Sequence, residues 1–559
     1  MPTVKRIFFT LKSLSKNLLN TLFRTPADGF AYLFILLFFI SGVLTLPDYG
    51  LTWDEATSDV FFGERYLYYF RTLDSTYLDF SRDIPHLDAL PLVTRYASYR
   101  MIPAECPPLA AMSAAFTMQV FSYKLHLLDP VDGWHLSVIL FTTVFLFCLY
   151  RFFSSRIKPL PALLGIILLG LFPRFWGDMH FNVKDVPETV LFGLTILAYV
   201  YWYERPSLKR ALLTGLAGGA ALAVKMNVAF VPLILVLGVW QWGTVRRWFA
   251  SRQEFTRIAG HHLLMAVTVL HVVFISWPFL QGNPEGVRAW LEHYLTQGHR
   301  TGFATWDLSP LRLALAVMPE VFLVLLFIGI FFAIRHTLMQ KNTSCRLLLA
   351  WLFVPLIRIS MPGMVNFDNI RHFMEFVPAA ALLAGYGGFS LVKSIKWPRS
   401  WLEHAALGVL LGAVALNTIW IAVQYRPYEY LYFNSFSGGF QNADITFGSN
   451  EATDYWASTY RRGMAWVKDN APPDSLLYAP VISQIPQITA RIWLRPDIRV
   501  ISRQESELFY TTKQPIYVMF ITRPGFYDDV AWYALNNLQP VYEIKLQGVS
   551  LLKIYRKNG

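Results

Sequence analysis

The sequence predicts a polytopic α-helical membrane protein of about 11 to 13 transmembrane helices, followed by a small C-terminal extracytoplasmic α/β domain. Three observations predict it. Of the 559 residues, 54% are hydrophobic and only 15% charged, and the mean hydropathy of +0.37 is too high for a soluble globular chain. Apolar runs approaching the roughly 20 residues that cross a bilayer recur as far as residue 424. Lysine and arginine cluster in alternate loops between those runs, as cytoplasmic loops do.

Residues 1–29 form a basic N-terminus with Lys5, Arg6, Lys12, Lys16 and Arg24. No small-residue cleavage pattern follows the first apolar run, so that run is read as an uncleaved span. Spans are expected near 30–46, 133–152, 159–174, 187–203, 211–227, 228–243, 261–280, 313–334, 346–361, 373–391 and 404–424. Arg151/Arg156/Lys158, Arg205/Lys209/Arg210, Arg246/Arg247/Arg252/Arg257, Arg335/Lys341/Arg346 and Lys393/Lys396/Arg399 then mark the cytoplasmic side, together with the N-terminus. The loops at 47–105, 172–187, 225–228, 281–312 and 361–372, and everything after 424, face outward. Residues 105–128 are apolar enough for one span, but a single crossing there would invert every later loop. They are expected to lie along or re-enter the membrane, or to form two short crossings, and Pro107-Pro108 suits irregular backbone buried by protein.

Residues 30–424 thus make a membrane domain whose first outer loop, 47–105, is acid-rich. From 425 to 559 the composition turns aromatic and polar. A helix over 458–470 stops at Ala471-Pro472-Pro473, and strands are expected at 475–480, 498–502 and 515–522, with a hairpin around Gln547-Gly548. The net charge of +12 resides in the loop clusters, which argues against nucleic acid as a partner. Three cysteines, Cys106, Cys148 and Cys345, exclude a disulfide framework and carry no zinc-ligand spacing.

Four polar groups fall on the outer side. Asp54 and Glu55 follow the first span. Arg174, Asp178, His180, Asn182, Lys184, Asp185 and Glu188 crowd the turn at 173–190. Lys225 and Asn227 separate two short apolar runs, and Asp368, Arg371, His372 and Glu375 open the span near 373. Each has a plainer reading: solvated loop acids, an ion-pair network closing two helices, a snorkelling lysine, and a helical Arg371–Glu375 pair. His271, Glu320 and Arg358 are read as structural. Their shared face favours chemistry, because charge beside the bilayer is costly unless paired or used. Carboxylates beside cations suit a base that deprotonates a hydroxyl while cations hold a departing lipid phosphate.

Asp54-Glu55, the Glu105-x-Pro107-Pro108-Leu109 element, His180-Phe-Asn-Val-Lys-Asp185-Val-Pro and Asp368-x-x-Arg371-His372 together resemble the family 39 membrane glycosyltransferases. These are bacterial relatives of the protein O-mannosyltransferases and of the lipid A aminoarabinose transferase, within the C superfamily. RPYEYLYFNSFSGG and DYWASTYRRGMAWV are similar to the segment after the last span in many bacterial members. The resemblance implies a polyprenyl-phosphate sugar donor, a hydroxyl-bearing acceptor (protein, lipid or glycan), inversion at the anomeric carbon and a bacterial inner-membrane location. It implies Asp54 as base and Asp185 as second acid. Glu55 is expected to tune its neighbour, and Lys184, Lys225, Arg371 and His372 to bind the donor phosphate. His180, Asn182, Glu105 and Asp368 are expected in support. A divalent cation is compatible with the acids, but no spacing is diagnostic. The family usually carries histidine where Cys106 stands. The alternative class is a transporter or flippase, for which repeat symmetry and midplane charges are expected instead.

Overall fold

The structure is a computed structural model that describes residues 22–92, 103, 106–281, 283–301, 305–364, 366–447 and 453–557. Among these residues seven helices are long and apolar enough to cross a membrane, and a bent pair makes an eighth. The polytopic helical architecture read from the sequence is the one observed.

Helix α1, Pro26–Thr45, opens with Thr25 and Asp28 capping each other's backbone, after which the run is apolar. A π-helical turn, Glu55–Asp59, leads into α2, Val60–Thr72. Helices α3, Leu109–Met118, and α4, Pro130–Ser154, come next, joined by a second π-helical turn at Gln119–Lys124. The start of α3 is tied to the Lys225 side of the molecule by the Leu109 N–H to the Ala223 carbonyl. Its far end turns directly into the start of α4, where Ser122 Oγ donates to the Asp129 carbonyl. Both ends therefore stand on the face that carries Asp54, so residues 109–124 begin and end on that face.

Helices α5, Pro159–Gly170, α6, Asp185–Glu204, and α7, Leu208–Leu222, are followed by a break. Helix α8, Val231–Gly238, ends a segment from Met226 that meets Trp242–Trp248 at 105°. The run at 228–243 is thus a bent element. Helices α9, Arg252–Ser276, α10, Glu320–Gln340, α11, Thr343–Ser360, α12, Val377–Ser394, and α13, Ser400–Tyr425, complete the membrane region. All eleven apolar runs in the sequence are helical, although α5, α7 and α8 are short. Glycines let α5, α10 and α12 touch backbone to backbone. A Cβ at Gly329 would sit 1.9 Å from the Leu383 carbonyl oxygen, and one at Gly387 2.3 Å from that of Leu325.

The C-terminal region carries helix α14, Tyr460–Asn470, and strands β1, Leu476–Tyr478, β2, Arg499–Ile501, β3, Ile516–Ile521, β4, Pro540–Leu546, and β5, Val549–Lys557. The sheet order is β2-β1-β3-β5-β4, parallel on the β1 side and antiparallel across β3–β5–β4. Gln547 and Gly548, both with positive φ, make the two-residue turn of the β4–β5 hairpin. The segment before α14 ties this region to the first outer loop. The Trp53 N–H donates to the Trp456 carbonyl, and the Gly50 N–H to Ser458 Oγ. Arg461 donates to the Tyr49 carbonyl and pairs with Asp132 at 2.5 Å.

Candidate functional site

Asp54 stands just before the π-helical turn, an uncommon geometry that is frequent at functional sites. Backbone carbonyls of Trp53 and Asp54 accept from Thr57 and Ser58 hydroxyls, which fixes the turn and leaves the Asp54 carboxylate free to face inward. That carboxylate is 29% exposed and accepts from Arg371 at 3.1 Å.

Arg371 is the hub. It lies 2.9 Å from Asp368 and 3.6 Å from Asp185, besides its bond to Asp54, and its guanidinium stacks over Trp456 and Phe367. Asp185 is buried at the start of α6. Lys225 Nζ meets it at 2.7 Å, and Asn182 both donates to its carboxylate and accepts its backbone N–H. Lys225 also lies 3.5 Å from His372 Nδ1. Asp54, Asp185, Lys225, Arg371 and His372 come from four separate stretches of the chain, and the fold brings them to one place.

The surroundings explain how. Arg358 donates to the His372 carbonyl and to Asn227 Oδ1, and Asn227 donates to Glu375 at 2.5 Å. Arg358 therefore braces the backbone that carries Arg371 and His372, as its structural assignment expects. Asp368 and Asn369 both adopt left-handed backbone, with φ of 54° and 70°. Such residues persist only where the surroundings over-determine them, and they concentrate at functional sites. The 3₁₀ stretch Arg371–Phe376 is broken at Phe373, so the Arg371–Glu375 helical pair does not form; Glu375 belongs to Arg358 and Asn227.

Other expected residues fall elsewhere. Glu55 is 1% exposed, and its carboxylate is taken up by Thr52, by Trp134 Nε1 at 3.0 Å and by His135 Nε2 at 3.1 Å. This geometry makes it an anchor of the loop rather than a modulator turned toward Asp54. His180 is fully buried between Thr45 and the Trp176 carbonyl and stacks on Tyr49 at 4.2 Å; burial pushes its imidazole down to about 3. It supports packing. Arg174 donates to the Tyr430 and Tyr432 carbonyls, docking the segment after α13. The charge of Lys184 is felt at Asp59, whose carboxyl burial raises to about 7, against the pull of Lys184. Glu105 lies outside the described residues. Cys106 packs in an apolar cluster with Phe62, Tyr66 and Trp277.

Three residues were not anticipated. Arg523, just after β3, bonds Asp368 at 2.9 Å and stacks over Trp53, while Trp456 covers Arg371 and the buried Asp59 feels the charge of Asp54. The C-terminal region thus supplies one wall of the site. Among the described residues no cluster of His, Cys, Asp and Glu is arranged to hold a metal ion. The three acids that converge are already bridged by Arg371, Lys225 and Arg523, a donor set that does not fit a divalent cation. Burying this many charges costs several kcal/mol per ion, and apolar replacements of buried ion pairs are often as stable. The network is therefore poorly explained as a stability device.

Beside it, between α6, α7, α8 and α9, an apolar cavity of about 440 Å³ is lined by Leu222, Val228, Val231, Leu235, Met265 and Val269 among others. Leu222 and Val228 flank the Lys225–Asn227 turn in the chain.

Residues 105–277 match the family model described as dolichyl-phosphate-mannose-protein mannosyltransferase, which bears out the family resemblance over that stretch. It includes Asp185 and Lys225, while Asp54 and Arg371 lie outside it. No curated protein matches the chain in sequence. The fold is similar to that of ArnT from Cupriavidus metallidurans bound to undecaprenyl phosphate, with a TM-score of 0.52 and 14% identity, covering 94% of this chain and 98% of that one. Against the same protein in the apo state the TM-score is 0.51 at 14% identity, covering 95% and 98%.

Proposed function

We propose that this chain is an inverting membrane glycosyltransferase that moves a sugar from a polyprenyl-phosphate donor to a hydroxyl acceptor on the extracytoplasmic face. The observation that carries this reading is the Asp54–Arg371–Asp185–Lys225 network beside an apolar cavity. A polyprenyl chain occupies the cavity and places its phosphodiester at Lys225 and Arg371. There the phosphate competes with Asp185 and Asp54 for the same cations. Losing Arg371 as a partner frees the Asp54 carboxylate to accept the acceptor's proton. The acceptor oxygen then bonds to the anomeric carbon as the bond from that carbon to the phosphate oxygen breaks, with inversion. Lys225 and Arg371 offset the charge on the departing polyprenyl phosphate. Lys184 completes the positive lining, the His372 imidazole beside Lys225 offers a hydrogen bond rather than a charge, and Asp185 positions Lys225 before the donor binds. The likeness in fold to a protein solved with undecaprenyl phosphate supports the donor class.

The binding half of this reading is tested with purified protein. Polyprenyl phosphate should raise the thermal midpoint, as any ligand selective for the folded state does, and inorganic phosphate at the same concentration should not. No shift with the polyprenyl compound would overturn it. Sidedness follows from the basic clusters: alkaline phosphatase fused after Gly559 should be active, and fused after Arg399 inactive.

Asp59 gives a pH signature. Its carboxyl is raised to about 7 by burial, so it is neutral in mild acid and becomes charged as pH rises through neutrality. The new negative charge lies near Asp54 and Asp185 and opposes an anionic donor. The donor KM is expected to rise several-fold between pH 6 and 8 in the wild type and to rise distinctly less in Asp59→Asn, where Asp178, raised by burial to about 8 beside Asp185, is left to charge. Parallel profiles in the two proteins would remove Asp59 from this role.

A further inference from the structure

On the face opposite Asp54, the ends of α4, α5, α10 and α12 enclose a cavity of about 510 Å³. It opens beyond the close contact that Gly329 and Gly387 allow between α10 and α12. Arg156, Lys158, Lys393 and His336 line it together with Asn342 and Phe389, and among the described residues no carboxylate does. Glu204 pairs with Arg156 and Glu403 with Lys393, but both acids stand outside the lining. Lys158 has no carboxylate partner among the described residues; its ammonium lies 5.5 Å from the Phe389 ring, and that of Lys393 5.8 Å from the same ring. Asn342 spends its side-chain oxygen on the Cys345 N–H, so what it has left to offer is its amide donors.

A second observation is independent of charge. Lys158 has φ 81° and ψ 156°, a conformation essentially reserved for glycine, and Pro159 immediately opens α5. A lysine is thus held where glycine would be relaxed.

We propose that this cavity binds a phosphate ester, that of an anionic phospholipid headgroup in the leaflet on this face. Basic pockets between membrane helices on the cytoplasmic side bind such headgroups, and each lysine or arginine close to an anionic surface contributes about fivefold. The cations take the charge, and amide and hydroxyl donors take the remaining phosphate oxygens. The site does not depend on the transferase reading and lies apart from the donor cavity.

The test is native mass spectrometry of the full detergent-solubilised chain, titrated with cardiolipin, phosphatidylglycerol or phosphatidylethanolamine. Cardiolipin and phosphatidylglycerol should bind and phosphatidylethanolamine should not. In Lys158→Gly/Lys393→Gln the affinity for the anionic lipids should fall by about 10- to 30-fold, two cations' worth. Glycine relaxes the backbone at 158, so the variant should melt no lower than the wild type, and a lost lipid peak cannot be ascribed to misfolding. Arg335→Gln removes an exposed charge outside the cavity and should change nothing. Equal lipid affinity in wild type and double variant would overturn the site. Displacement of the lipid by millimolar inorganic phosphate would overturn the lipid assignment in favour of a soluble phosphate ester.

Discussion

Asp54→Asn should lower turnover by a factor on the order of 10²–10⁴, the usual contribution of a positioned general base. Asparagine keeps the size of the side chain and can still accept from Arg371, so expression and donor binding should survive. Removing the base leaves the acceptor hydroxyl as a poor nucleophile. Asp54→Glu should recover little, because the longer arm would displace the carboxylate from the position set by the Glu55–Asp59 turn. A transfer assay in membranes, with donor binding measured separately, reads both variants. Near-native turnover in Asp54→Asn would end the case for this base.

Arg371→Lys should be nearly as damaging, for a different reason. Arg371 bridges Asp54, Asp185 and Asp368 through a planar fork and stacks its face between Trp456 and Phe367. Lysine keeps the charge but loses the fork and the stacking. Hydrogen bonds to charged groups contribute about 1.5–3 kcal/mol each, so losing one raises the donor KM by roughly 10- to 100-fold. Turnover should fall as well, since the same cation offsets charge on the leaving phosphate. The control is Arg358→Lys, where the guanidinium braces the His372 backbone; its loss should lower thermal stability more than it changes donor affinity. Unchanged KM in Arg371→Lys would reassign Arg371 to holding the acids in place.

The helices were legible because a bilayer demands continuous apolar length, and every run that met the demand is helical. Composition does not say how a run is used. Residues 228–243 read alike whether straight or bent by 105°. The 109–118 helix is apolar because Ala110, Ala111, Ala114 and Ala115 pack against protein, and that looks the same in sequence as facing lipid. Asp54, Asp185, Lys225 and Arg371 stood out because charge at a helix end beside the membrane is expensive. Adjacency misled at Glu55: the π-turn sends neighbouring carboxylates to different partners. Arg523 and Trp456 left no signal, because an arginine after a strand and a tryptophan in a polar loop are ordinary in a soluble domain. Their role emerges only when that region packs over the first outer loop.

Mass spectrometry of envelope glycans and lipids in a deletion strain, complemented in turn by wild type and by Asp54→Asn, tests the central claim most directly. Deletion should remove one sugar residue's mass from a surface glycan, lipid or glycoprotein. The wild type should restore it, while Asp54→Asn, expressed at the same level, should not. An unchanged envelope in the deletion strain, or full restoration by Asp54→Asn, would contradict a glycosyltransferase that works through this site.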